Sequence, residues 1–382
     1  MKVVYLASHP IQYHAPLFRA LAARCEFEAW FAHRPTAAEQ AAAGYGVAFD
    51  WDVDLLSGYR NRFLENVARH PTVLRPLGTD TPEVAAWLAE SRPDVLIVGG
   101  WMLRSYWQAF RAAERIGVPA WIRTDSRWPP GGSRLKALAK RALYRIALRR
   151  PRGFLAAGRG SADYLTSLGV PADRIVEVPH VVDVERFETR RVDPAQTRAA
   201  LGIADGPVVG FVGRLIAGKR VADLLFAAAR LEPRCRVLIV GDGEERERLR
   251  ALARDQGVFC VMAGFRNQEE LPALYQIMDV LALPSSHDTW GLVVNEALAA
   301  GCSVVISDEA GAADALGRYS PAVLTYRTGN VEALAGQLGL ALRGRGDAEV
   351  EAQRERAVAL LHPARVADQI LAALASGQRQ AP

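Results

Sequence analysis

The 382-residue chain has only four cysteines and four methionines. Cys25, Cys235, Cys260 and Cys302 are widely scattered, each in or beside an apolar segment, and none forms a Cys-x-x-Cys pair. That spacing argues against a disulfide framework and against a thiolate metal site. The four thiols read instead as small buried hydrophobes. No apolar run approaches the roughly 20 residues that a membrane span needs. The first ten residues, MKVVYLASHP, hold a short apolar core from Val3 to Ala7. A secretory leader needs a longer one, so this stretch reads as a first buried strand and the protein as cytoplasmic. Internal repeats, low-complexity tracts and an aromatic–basic nucleic-acid signature are all missing, so no nucleic-acid partner is expected.

What the chain does have is an ordinary globular balance, 50% hydrophobic and 23% charged residues. Its length suits two domains rather than one core. The net charge of +5 fits anionic ligands or an anionic membrane surface. Short runs rich in Val, Ile and Leu recur between helical stretches. Strands are expected at Val3–Ala7, Val95–Val98, Ala120–Arg123, Gly153–Ala156 and Ile175–Val178. In the second half they are expected at Val208–Val212, Arg236–Val240, Phe259–Met262, Val280–Leu283, Ser303–Ile306 and Ala322–Leu324. Near-continuous apolar strands are covered on both faces, which implies parallel sheets flanked by helices. Strand and helix in alternation give two doubly wound α/β units. A polar, Pro-flanked stretch, PHVVDVERFETRRVDPAQ, separates them. The expected domains are 1–180 and 181–360, followed by a helix and a short disordered tail, Ser376 to Pro382, in 361–382.

The richest segment runs from Pro284 to Gly301, PSSHDTWGLVVNEALAAG. It reads as a strand end, a polar loop and a helix opening near Gly291. A helix start presents free N–H groups and a positive dipole end, which suits a phosphate. Asp288 before that start and Glu296 one turn in can both reach sugar hydroxyls. The same residues also read as an acidic first turn stabilised by the dipole alone. Upstream, VVGFVGRLIAGKRV puts Arg214 and Lys219 after a strand end, where α/β sheets bind ligands. A guanidinium fork and an ammonium there would neutralise a diphosphate; the plainer reading is two solvated bases in a loop. Gly241-Asp242-Gly243 closes the next strand with glycines that permit close backbone approach, and is also a routine strand–helix turn.

The Asp288-to-Glu296 spacing resembles the acid-x7-acid motif of the family 4 retaining glycosyltransferases, which have the GT-B fold. That family usually has Glu where this chain has Asp288. The Gly213-Arg214-Leu215…Lys219 run is similar to the family's Gly-Arg-Leu…Lys motif, and the likeness extends over about Val208 to Leu342. The resemblance implies that Arg214 and Lys219 stabilise the leaving nucleoside diphosphate. It implies that Glu296 bonds the ribose hydroxyls, and that Asp288 and the amides of Gly291, Leu292 and Val293 face sugar and phosphate. Gly213 and Gly241 would lie near the nucleotide, with Phe265 or Arg266 beside the base. Pro179, Asp183 and Phe187 match a pattern in the family's interdomain connection. The helix after Pro363 would cross back onto the first domain.

The acceptor side is read from the first half. His9, Gln12 and His14 follow the first strand, and similar His-Pro-Ile-Gln loops occur in one branch of these transferases. His9 would orient an acceptor hydroxyl or touch a donor phosphate; alternatively it caps the next helix. Many relatives carry a His after a mid-domain strand. This chain has Arg123, Asp125 and Ser126 there, with Asp125 the best substitute, and Gly100 ends a neighbouring strand. The Ser133–Gly153 stretch is rich in Lys and Arg, without an acid. It reads as a packed helix with a solvated cationic face or as a helix lying on anionic lipid, which would put the protein on the inner membrane face.

The implied whole is a GT-B enzyme with two Rossmann-like domains facing a cleft. It would move a sugar, with retention, from a UDP- or GDP-linked donor to a hydroxyl acceptor such as a glycan, a lipid-linked glycan or a natural product. Arg214, Lys219, Asp288, Asp125 and His9 are the candidates for the chemistry. No cofactor and no metal is expected, because the two cations do the neutralising. The rival readings are a non-catalytic GT-B partner subunit and a GT-B sugar-nucleotide epimerase.

Overall fold

The computed structural model describes residues 1–41, 47–128, 141, 143–189 and 192–379. The chain divides into two units. The first comprises Met1–Glu39, Asp54–Val181 and Pro363–Pro382; the second comprises Gln40–Val53 and Val182–His362.

In the first unit the strands are β1 (Lys2–Ala7), β2 (Glu26–Phe31), β3 (Arg60–Phe63), β4 (Val95–Val98), β5 (Ala120–Thr124), β6 (Gly153–Ala156) and β7 (Ile175–Glu177). They form one seven-stranded sheet, β3-β2-β1-β4-β5-β6-β7, with every pair parallel. Alternate residues of each strand feed opposite cores. Val4, Leu6, Leu96, Val98, Ile122 and Phe154 pack on one face. Val3, Tyr5, Val95, Ile97, Trp121 and Leu155 pack on the other. Both faces are thus apolar, which is why the strands read as continuous rather than alternating.

Two strands were not expected, β2 and β3. Their sequences, EFEAWF and RNRF, carry charges because they lie toward one margin of the sheet, where β3 is the edge strand. Glu28 and Arg62 pair there at 2.6 Å.

Val366, Ala367, Ile370 and Leu374 of the helix Pro363–Arg379 complete the second of these cores, and Arg24 pairs with Asp368 at 2.7 Å. The expectation of disorder from Ser376 onward is corrected, because the helix continues to Arg379. Gly377 packs so tightly on Trp121 that a methyl there would lie 2.5 Å from the ring. Its carbonyl accepts from Arg152 Nε at 2.9 Å. Residues 380–382 lie outside the described residues.

In the second unit the strands are β8 (Val208–Val212), β9 (Arg236–Val240), β10 (Cys260–Gly264), β11 (Val280–Leu283), β12 (Ser303–Ser307) and β13 (Val323–Tyr326). Their order is β10-β9-β8-β11-β12-β13, again parallel throughout. A strap from the first part of the chain belongs here. Phe49 is buried against Phe265, ring centroids 5.0 Å apart, with Trp51 edge-on to Phe49 at 4.9 Å. Asn267 Nδ2 donates to the Asp50 carbonyl at 2.8 Å, and the Glu269 amide meets the Asp52 carboxylate at 3.2 Å. The expected division assigned this stretch to the first domain; its contacts are with the second unit.

Each sheet reverses its winding once, between β1 and β4 and between β8 and β11. Open α/β sheets bind ligands at the carboxyl ends of strands at such a point.

Candidate active site

At the reversal in the second unit, β8 runs into Gly213 (φ +146°) and β9 into Gly241 (φ +138°). The two loops lie backbone against backbone. The Gly213 amide donates to the Val240 carbonyl, Leu215 to Asp242 at 2.8 Å, and Glu245 to Leu215 at 3.0 Å. A methyl on Gly241 would stand 1.9 Å from the Gly213 oxygen, and one on Gly243 2.4 Å from the Leu215 oxygen. The Gly-Asp-Gly turn therefore exists first to let these loops touch.

The loops after β8 and β11 are joined next. The amide and hydroxyl of Ser286 both donate to the Gly218 carbonyl, at 2.9 and 3.0 Å. Lys219 Nζ then meets Asp288 Oδ2 at 2.6 Å, with both side chains largely buried. Arg214 is exposed, and its guanidinium has no partner among the described residues.

Asp288 is held through its backbone by Glu309 and Gly311. Gly291, at φ +93°, turns the chain into the helix Leu292–Ala299, whose start has no side-chain cap. A methyl on Gly291 would lie 2.7 Å from Leu283 and 3.9 Å from the Asp288 carboxyl carbon. The helix start and the Asp288 carboxylate are thus neighbours. Buried Trp290 donates to Asn295 at 2.9 Å, which pins the first turn.

Glu296 lies on the same helix, buried at 5% exposure. Its Oε2 accepts from the Tyr275 hydroxyl at 2.6 Å. Burial pushes the carboxyl up to about 7, against the lowering effects of the Tyr275 bond and of Arg186. Of the two base-side candidates, Phe265 has one face against Phe49. Arg266 is tied to Glu270 at 2.7 Å and to the Ala263 carbonyl.

Asp50, Asp52 and Asp54 form an Asp-x-Asp run. Asp52 takes the Glu269 amide. Asp54 is held down at about 2 by its bonds from the Ser57 hydroxyl and the Leu56 and Ser57 amides. Among the described residues no three His, Cys, Asp or Glu side chains are grouped to hold a metal.

In the first unit a cavity of about 350 Å³ opens at the ends of β1, β4 and β5 and just beyond β7. His9, His14, Gly100 and Asp125 all line it; Gln12 does not. Burial pushes His9 down to about 4, with its Nδ1 2.9 Å from the Ser8 hydroxyl. The ring is neutral at neutral pH and offers a phosphate no charge. Nor does it cap the helix His14–Ala22, which starts without a side-chain cap. His14 packs between Tyr13 and Phe18 and is kept neutral by burial; it is a wall rather than an acid or base.

One further residue of this cavity is His180, which follows β7. Its Nε2 lies 3.6 Å from Asp125 Oδ2, and its ring is edge-on to Tyr13 at 5.2 Å. Burial lowers its pKa. The Arg123 guanidinium, also buried, donates from Nη2 to the Pro179 carbonyl at 3.0 Å and so fixes the backbone that carries His180.

The family model for glycosyl transferases group 1 matches residues 194–358, and that for the glycosyl transferase 4-like domain matches residues 10–180. Each of the two models covers less than half of the chain, and together they span most of it. It is 32% identical over 191 residues to 2-deoxystreptamine glucosyltransferase of Streptomyces kanamyceticus, covering 48% of this chain and 49% of that protein. It is 36% identical over 248 residues to GDP-mannose-dependent alpha-mannosyltransferase of Mycobacterium tuberculosis, covering 63% and 62%. The matches thus span about half to three-fifths of these relatives. Anabaena HepE in complex with UDP superposes with a TM-score of 0.74 at 18% identity, over 98% of this chain and all of that one. A glycosyltransferase from Rickettsia africae gives 0.75 at 12% identity, over 100% and 99%. The fold is GT-B.

His180, which lines the first unit's cavity, and Tyr275, which bonds Glu296, were not among the residues the sequence pointed to. His180 had a usable signal: a Pro-His pair directly after a buried strand, in a fold that binds ligands at strand ends. Tyr275 had none, since only packing brings it to Glu296. Of the basic stretch, residues 133–140 and 142 lie outside the described residues. Of the remainder, Arg150 pairs with Glu114 at 3.2 Å and Arg152 donates to Gly377, while Leu143 and Ile146 are 64% and 71% exposed.

Proposed function

We propose that the protein is a retaining glycosyltransferase that moves a sugar from a UDP- or GDP-linked donor to a hydroxyl of a small polyhydroxylated acceptor. The observation that carries the reading is the Lys219–Asp288 pair at 2.6 Å beside an uncapped helix start. A diphosphate entering there meets an ammonium, the exposed Arg214 and free amide N–H groups. Negative charge growing on the leaving diphosphate is stabilised where it forms. Asp288 then accepts hydroxyls of the transferred sugar, and Glu296 those of the ribose. The acceptor oxygen bonds the anomeric carbon on the face from which the phosphate oxygen departs, and the departing phosphate takes the acceptor's proton, so the configuration is retained.

The first unit's cavity holds the acceptor in this reading, with Asp125, His9 and Gly100 contributing as expected and His180 added. Its size suits one ring, and its wall of histidines, the Asp125 carboxylate and the Arg123 guanidinium offers donors and acceptors for hydroxyls. The S. kanamyceticus relative is named for 2-deoxystreptamine, a cyclic polyol amine, which makes cyclitols the first acceptors to test. No metal takes part in the reading.

The test is direct. UDP- and GDP-sugars should raise the melting temperature of the purified chain, since a ligand that binds only the native state stabilises it. The sugar that stabilises it should be consumed when a cyclitol is added. Absence of any shift and of any donor consumption across both nucleotide series overturns the reading.

The reading keeps the protein cytoplasmic; no single described helix is long and apolar enough to cross a membrane. Contact of 133–152 with an anionic membrane is part of the proposal, supported by exposed Leu143 and Ile146 among basic residues. Cosedimentation with anionic vesicles is expected at about 0.1 M salt and should be lost near 1 M. Failure to sediment at low salt removes the membrane from the proposal.

A further inference from the structure

Glu296 is not an unconstrained acceptor, because Tyr275 holds one of its two oxygens. The phenol is itself immobilised. Tyr275 is completely buried, its ring packs edge-on against Phe187 at 5.7 Å, and its carbonyl accepts from the Cys302 thiol at 3.2 Å. The next residue, Gln276, is bonded to the Phe187 carbonyl at 3.0 Å. Burial pushes the Tyr275 pKa well above its usual value, so the hydroxyl keeps its proton and acts as the donor. Its 2.6 Å bond therefore fixes Oε2 and the plane of the carboxyl group. Oε1 takes no hydrogen bond among the described residues.

We propose that Tyr275 is the positioning residue that aims Glu296 Oε1 at the ribose, so that the site takes ribonucleoside diphosphate sugars and rejects their deoxyribonucleoside counterparts. This rests on the reading of the second unit as the donor site. The physical ground is asymmetry. A site built to bond a hydroxyl discriminates strongly against an analogue lacking it, because the buried partner is left unpaired. A freely turning carboxylate would find another partner or water; one clamped by a buried phenol does not.

The groups that face this carboxyl set its titration. They are Tyr275 itself and Arg186 from the helix Val184–Glu188. Cys302 and Arg354 touch the same helix environment, Arg354 by donating to the Leu298 carbonyl at 3.1 Å. The Tyr275 bond lowers the Glu296 pKa. Its removal must raise that pKa further and shift ionisation to higher pH.

The experiment measures binding of UDP and 2′-deoxy-UDP, and of GDP and 2′-deoxy-GDP, by calorimetry to the wild-type chain, Tyr275→Phe and Glu296→Ala. Wild type should favour the ribonucleotide by about tenfold or more, from one charge-assisted bond. The preference should grow as pH rises through about 7 and Glu296 ionises. Tyr275→Phe should keep its affinity for the deoxynucleotide, which also reports an intact fold. Its preference should shrink to within about threefold at neutral pH and rise only at higher pH. Glu296→Ala should show no preference at any pH. If Glu296→Ala loses the preference and Tyr275→Phe retains it with an unmoved pH profile, the role of Tyr275 is overturned while the donor-site reading stands. If Glu296→Ala keeps the preference, the assignment of Glu296 to the ribose fails as well.

Discussion

Lys219→Ala is expected to lower turnover by about 100- to 1,000-fold, the usual cost of removing one group that stabilises transition-state charge, with the fold unchanged. The side chain leaves a short turn, Ala217–Lys219, that is anchored independently by the two Ser286 bonds to Gly218. Circular dichroism and melting temperature should therefore stay close to wild type. The lysine also pairs with Asp288, so the loss has two sources: a missing counter-ion for the diphosphate and an unpaired carboxylate where an anionic ligand must enter. A second substitution separates them. If Lys219 serves only to neutralise Asp288, the Lys219→Ala/Asp288→Asn pair recovers most of the activity. If Lys219 acts on the leaving group, the double variant stays at least as slow as the single one. Unchanged turnover in Lys219→Ala, or recovery in the double variant, overturns its place in the chemistry.

Gly241→Ala is expected to be the most damaging single methyl in the second unit. The residue sits at φ +138°, and the added carbon would lie 1.9 Å from the Gly213 carbonyl oxygen, which is backbone and cannot rotate away. Backbone strain of this kind costs about 1–3 kcal/mol by itself, and the clash adds to it. For a unit of this size a loss of 3 kcal/mol lowers the melting temperature by roughly 6–12 °C. The loop that must move carries Arg214, so nucleotide affinity should fall with stability. Gly336→Ala is the matched control, since a methyl there meets nothing within 4 Å. Equal melting temperatures for the two variants would show that the loops are not locked as described.

The same contrast explains which parts of the molecule were legible in the sequence. Central strands such as β1, β4 and β8 announce themselves because both faces are buried and, Lys2 at the start of β1 apart, their residues are uncharged. β2 and β3 lie toward the sheet margin, admit Glu28 and Arg62, and lose that signal. The arrangement of Asp288, Gly291 and Glu296 could be read because chain spacing creates it: Asp288 and Gly291 are adjacent across one turn, and Glu296 follows on the helix. Partners that meet through tertiary packing could not be read. Tyr275 is 21 residues from Glu296, His180 is 55 from Asp125, and the strap at Phe49 is more than 200 from Phe265. Short polar side chains with no periodicity give no hint of such meetings. The tight glycines were legible as turns, but the reason for Gly241, an apposed carbonyl, belongs to the neighbouring loop.

The strap from Val47 to Val53 bears on how this architecture can be recombined. A chimera that exchanges residues 1–180 for those of another protein also replaces Phe49, Trp51 and Asp52, and with them the cover over Phe265 and the bond to Glu269. The incoming sequence must then match a surface it never evolved against. The two halves are not separable heirlooms: whatever is altered in one by grafting is felt at the loop from Phe265 to Glu269 in the other.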